Sequence, residues 1–162
     1  MEVLWRDDKP IFHGRFFDIE GLAFEPKPLQ RPRPPIFVGG NSKPALRRAA
    51  RYDGWQPNPT QFALEEIPPL FDYLASQPDF AGKEDTFELF WVGAIPGVGW
   101  SSFDELSESG RRDLAERALA KVADLAGVGI TTVSVPVPRS GSMAQYLEYV
   151  AWFSHEVIDN AG

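Results

Sequence analysis

An α/β fold with a parallel sheet is the class this sequence predicts, and three observations carry the prediction. Short apolar runs alternate with amphipathic helical patterns from residue 35 to the end of the chain. The run at 36–38 shows no polar alternation, as expected of a strand covered on both faces. It passes through Gly39-Gly40 directly into a helical segment, the layout of a βα unit. Successive βα units give right-handed crossovers and parallel strands. Four units fit the chain, which is half of a (β/α)8 TIM-type barrel. We expect one domain over 1–162, with an N-terminal segment at 1–34 and four βα units at 35–162.

Residues 1–13 read as irregular, or as the end of a helix whose start is missing. Residues 14–18 are expected to pair with 22–25 across Ile19-Glu20-Gly21, a β-hairpin insertion ahead of the first strand. Pro26, Pro28, Pro32, Pro34 and Pro35 then exclude helix and central strand, leaving an extended lead-in. After the first strand, Ser42 stands at a helix N-cap, and Pro44 sits in the first turn, where a missing N–H costs nothing. Ala45, Leu46, Ala49 and Ala50 share one helical face; Arg47, Arg48 and Arg51 lie elsewhere on the helix. Asp53-Gly54 closes the helix, and Trp55 opens a second strand over 54–58. Thr60 reads as the N-cap of a helix running to about Gln77, divided into two pieces by Pro68-Pro69.

Residues 86–92, rich in aromatic and β-branched side chains, are the third strand, with a Gly/Pro loop at 94–100. A helix over 109–126 turns Leu114, Ala118, Val122 and Leu125 to one side. Residues 130–135 are the fourth strand and 136–141 its exit loop. A last helix over 142–160 carries Met143, Tyr146, Leu147, Val150, Phe153 and Val157 on its expected apolar face.

Composition narrows the function classes. Hydrophobic residues make up 43% and charged residues 24%, which is globular. With no cysteine, disulfides and thiolate metal sites are excluded. The formal charge of −7 argues against nucleic acid as a general partner. No apolar run is long enough for a membrane span, and the acidic start broken by Pro10 is unlike a signal peptide, so a cytoplasmic location is expected.

Several stretches together resemble the luciferase-like monooxygenases, which are flavin- or deazaflavin-dependent (β/α)8 oxidoreductases. They are Phe12-His13-Gly14-Arg15-Phe16-Phe17, Pro26-Lys27-Pro28-Leu29-Gln30, Pro34-Pro35-Ile36-Phe37-Val38-Gly39-Gly40, Ala45-Leu46-Arg47-Arg48-Ala49-Ala50 and Asp53-Gly54-Trp55. Gly127-Val128-Gly129-Ile130-Thr131-Thr132-Val133 looks like the last barrel strand of that family. The likeness is close over 1–60 and one of layout beyond. It implies the family's C-terminal half, as a truncated reading frame, a fragment, or a chain whose missing half another chain supplies, without independent catalysis in the absence of that half. It implies FMN or coenzyme F-420 as cofactor and a small-molecule substrate. The structural partner would be a second copy of the chain or a separate N-terminal half.

Gly39-Gly40-Asn41-Ser42 is the leading site candidate. A glycine turn exposing backbone N–H groups before a helix suits a phosphate, and it is also ordinary turn chemistry. The resemblance implies that this loop holds the cofactor's terminal phosphate. Trp55 either packs inside or lines the barrel mouth. Asn58 lies at the carboxyl end of the second strand, where barrel sites collect, or else forms a turn before Pro59. Arg139, after the fourth strand, would meet an anionic cofactor tail or substrate, or is a surface loop residue. The three helix arginines read as a solvated face. His13 and His155 are assigned no catalytic role, no catalytic residue is identified, and no His/Asp/Glu cluster has metal-ligand spacing.

Overall fold

In the computed structural model, four short strands lie side by side and parallel, in the order in which the chain makes them. The structure describes residues 1–60, 63–93, 103–135 and 141–161. The expected loops at 94–100 and 136–140, with Arg139, lie outside the described residues. Two compact units divide the chain, Met1–Ile36 and Phe37–Gly162.

The first unit holds helix α1 (Glu2–Arg6) and two two-residue strands, β1 (Phe12–His13) and β2 (Asp18–Ile19). These pair antiparallel, Phe12 opposite Ile19 and His13 opposite Asp18. The hairpin therefore forms earlier in the chain than expected: residues 14–17 are its turn, and 22–25 form no strand. The Gly14 N–H donates to the Phe17 carbonyl at 2.9 Å, which closes that turn. The proline-rich arm is tied down by two cations. Lys27 donates to the Leu4 and Asp7 carbonyls at 3.0 and 2.8 Å, and Arg33 pairs with Glu2 at 2.8 Å. Lys27 thus satisfies carbonyls at the end of α1 that the helix itself leaves without partners.

The second unit is the parallel sheet with its helices. The sheet comprises β3 (Phe37–Gly39), β4 (Gly54–Gln56), β5 (Glu88–Trp91) and β6 (Thr132–Val133). Phe37 registers with Gly54, Gly54 with Glu88, and Phe90 with Thr132. Between β3 and β4 runs α2 (Lys43–Ala49), capped by the Ser42 hydroxyl, which accepts from the Ala45 N–H at 3.4 Å. Next come a 3-10 turn, Leu64–Glu66, and α3 (Ile67–Ala75). Pro68 and Pro69 stand in the first turn of α3 and start it, because N–H groups there have no intrahelical partner to lose. Thr60 caps neither element; its hydroxyl goes to Asn58. Helix α4 (Glu108–Gly127) agrees with its predicted span to within a residue at each end. Helix α5 (Met143–Phe153) passes into a π-helical turn, Ser154–Ile158.

One sheet face is buried by helices. Trp55, Leu89, Trp91 and Ile130 pack with Leu46, Ala49, Ile67, Leu74 and Leu125 in the main core. A second cluster joins α4 to α5 through Leu114, Ala115, Ala118, Tyr149, Phe153 and Val157. The expected apolar face of α5 is half right. Phe153 and Val157 are buried, whereas Met143, Leu147 and Val150 are exposed, and Tyr149 carries the packing instead. Tyr149, Phe153 and Val157 follow one another at a spacing of four, which makes a second helical stripe as coherent as the predicted one. On the other sheet face the Phe37 and Phe90 rings meet at 5.5 Å across Gly54. A Cβ at Gly54 would collide with the Phe37 ring and come within 2.6 Å of the Glu88 carbonyl.

Candidate functional site

Parallel strands bring their carboxyl ends to one rim, so the residues following β3, β4 and β5 meet there. Gly39 ends β3, Gln56 ends β4 and Val92 follows β5. Between them opens a cavity of about 430 Å³. Gly39 and Gly40 after β3, Gln56, Asn58 and Thr60 at and beyond the end of β4, and Val92 after β5 line it.

The two loops are built on one another. The Gly40 N–H donates to the Gln56 carbonyl at 3.2 Å, which prolongs the β3–β4 ladder by one bond. The Trp55 indole N–H donates to the Gly40 carbonyl at 2.8 Å. Gly40 has φ +108°, a conformation that side chains strain. The Asn41 side-chain amide donates to the Asn58 carbonyl at 3.2 Å, and its oxygen accepts from the Asn58 N–H at 2.9 Å. The Asn58 side-chain oxygen in turn accepts from the Thr60 N–H at 3.2 Å and hydroxyl at 2.9 Å. Among the described residues the backbone N–H groups of Asn41 and Ser42 have no partner. Two unengaged backbone donors beside a small-residue turn fit an anionic oxygen group.

Of the residues singled out from sequence, Gly39, Gly40 and Asn58 line the cavity. Asn41 and Ser42 flank it, one bonding across to Asn58 and the other capping α2. Trp55 packs inside: it is fully buried beneath the loop rather than at a mouth. Of the helix cations, Arg47 of α2 donates to the Tyr73 hydroxyl of α3 at 2.9 Å, and Arg51, just after α2, pairs with Asp79, beyond the end of α3, at 3.1 Å. His13 pairs with Asp18, and His155 with its neighbour Glu156. No group of three or more potential metal ligands exists among the described residues. Sequence reasoning passed over Gln56, Thr60 and Val92. Strand alternation was the available signal for Gln56, since it shares the face of Gly54, opposite Trp55.

A family model described as luciferase-like monooxygenase matches residues 1–89, more than half of the chain. The chain belongs to the luciferase-like monooxygenase family. Among curated relatives of this luciferase-like chain, an FMNH2-dependent dimethylsulfone monooxygenase of Pseudomonas putida is 44% identical over 55 residues. That match covers 34% of this chain and 15% of the relative. An uncharacterized protein of Mycobacterium tuberculosis is 34% identical over 103 residues, covering 64% of this chain and 34% of that one. Two solved structures share the fold over 99% of the chain. A monooxygenase from Streptomyces bottropensis has a TM-score of 0.63 at 14% identity, and a coenzyme F-420 dependent tetrahydromethanopterin reductase from Methanopyrus kandleri has 0.67 at 11%. The chain spans 58% and 61% of their lengths. No helix among the described residues is long and apolar enough to cross a membrane.

Proposed function

We propose that this chain supplies the cofactor phosphate anchor and one pocket wall of a luciferase-like oxidoreductase that uses FMN or coenzyme F-420. One observation carries the reading: a cavity at the carboxyl rim of the sheet whose walls are Gly39-Gly40 and the loop after β4. The site fits a phosphate by its chemistry. The Asn41 and Ser42 N–H groups supply donors, and the glycines leave room for close approach. A bound flavin or deazaflavin supplies the hydride or oxygen chemistry of the class. The residues here do the remaining work. Gly40 and its neighbours hold the anionic tail, and Gln56, Asn58 and Val92 shape the adjoining wall. Substrate recognition and ring contacts fall mostly to a further half that this chain does not contain.

The test is a fluorescence-anisotropy titration of the chain with FMN and with F-420, beside Gly40→Asp. That variant puts a negative charge and a Cβ where the phosphate belongs. Saturable binding that the variant abolishes is the expected result. Equal binding by both forms refutes the anchor.

A second reading is supported by the sheet edges. Among the described residues β3 pairs only with β4, and β6 only with β5, so both edges are open to another chain. Met143, Leu147, Val150 and Ile158 form an exposed apolar stripe along α5 and its π-helical turn. A half-barrel that closes against a second copy, or against a separate N-terminal half, would cover such surfaces without itself performing catalysis. Sedimentation equilibrium tests it. A concentration-dependent dimer supports self-pairing, and a monomer at all concentrations opposes it.

A further inference from the structure

Asn41 looks from its position like a phosphate ligand, yet its side chain bonds to the other loop through both its amide nitrogen and its oxygen. Its amide makes a reciprocal pair of hydrogen bonds with the backbone of Asn58, the N–H at 2.9 Å and the carbonyl at 3.2 Å. An asparagine side chain presents the same donor–acceptor edge as a peptide group, so it can close such a two-bond ring with the main chain. Both residues are half-buried, where hydrogen bonds are less exposed to competing water. The partners lie 17 residues apart and belong to different loops.

The effect is to join the two cavity walls. Gly40 N–H to Gln56 and Trp55 N–H to the Gly40 carbonyl fix the strand ends. Beyond the strand ends, the Asn41–Asn58 ring is what joins the two loops among the described residues. The ring uses the Asn41 side chain and not its backbone N–H, and the Asn58 side-chain oxygen in turn holds Thr60.

We propose that Asn41 is a positioning residue: it latches the loop after β3 to the loop after β4 and so presets the phosphate cradle without touching the phosphate. This rests on the phosphate reading above. Preorganisation of this kind raises affinity by lowering the ordering cost of binding.

The test uses Asn41→Ala in the full 162-residue chain, with fold checked by near-ultraviolet circular dichroism and cooperative melting. Asn41→Ser, polar but too short to span the loops, repeats the test if the alanine variant folds poorly. Two readouts are taken. Amide hydrogen exchange at Asn58 is expected to accelerate by about tenfold or more, with core amides of α4 unchanged. Affinity for FMN and for F-420 is expected to fall by about tenfold, while riboflavin, which has no phosphate, binds as it does to the wild type. Unchanged exchange at Asn58 overturns the latch. Equal losses for FMN and riboflavin overturn the positioning role in favour of general destabilisation. A wild-type chain that does not prefer phosphate-bearing ligands over riboflavin overturns the phosphate reading and the positioning role that rests on it. Faster Asn58 exchange in that same variant would still register the bonds themselves, so the two failures are distinguishable.

Discussion

Gly40 concentrates the physical argument at the residue scale. Its φ of +108° lies where a side chain strains the backbone, and a Cβ there would stand 3.4 Å from that of Ala45. Gly40→Ala is expected to cost about 1–3 kcal/mol, read as a lowered denaturant midpoint with an unchanged slope. Gly39 carries no such constraint, since the nearest atom to a Cβ there is the Gln56 carbonyl at 4.0 Å. Tyr149 gives a pH test. Burial raises its phenol above the ordinary value. Its stabilising contribution is therefore complete below about pH 10, where folded and unfolded chains both hold the proton. Above that the unfolded chain loses a proton that the folded chain keeps, and stability falls as pH rises. The wild type should lose more melting temperature between about pH 9 and pH 11 than Tyr149→Phe does. An equal loss in both would show that Tyr149 is not the group responsible. The tight turn at Gly40 was legible in the sequence because a double glycine between strand and helix marks a turn that ordinary side chains would strain. The engagement of Asn41 was not, because its partner is a backbone group that any residue type at position 58, proline apart, would offer as both donor and acceptor.

Among elements, the helices were more legible than the strands. Helix α4 has a long repeating pattern, so its limits could be read to within a residue, and the structure adds its Ser107 cap. The strands have two to four residues each, too few for alternation to fix their ends. The hairpin was misregistered for the same reason, and the 14–17 turn won over the predicted one. Pro68-Pro69 was read as a break within a longer helix. Only the structure shows that the helix begins there. The strand packing makes a sharp prediction. Gly54→Ala must push aside the Phe37 ring and also meets the rigid Glu88 carbonyl at 2.6 Å. We expect it to cost at least about 2 kcal/mol, well above Gly→Ala at an unstrained site, measured by equilibrium denaturation. Leu125→Ala, at a fully buried position where α4 meets the main core, should cost about 2–5 kcal/mol in the same assay.

The whole molecule is a parallel α/β unit, Phe37–Gly162, with the antiparallel pair of the Met1–Ile36 unit ahead of it in the chain. Its class was legible because successive βα units admit few topologies. Its family was legible because several stretches within 1–60 fall together in one order, in agreement with the family match over 1–89. The sequence did not show which surfaces stay uncovered. That depends on long-range packing, as the exposed Met143, Leu147 and Val150 illustrate. At this scale the central claim is that the rim cavity anchors a cofactor by its phosphate. Phosphorus NMR of FMN, and of coenzyme F-420, titrated with the chain tests it most directly. A saturable shift or broadening of the ligand's phosphorus resonance, absent with Gly40→Asp, is the predicted result. A phosphorus signal that stays sharp and unshifted while ring fluorescence reports binding would contradict it.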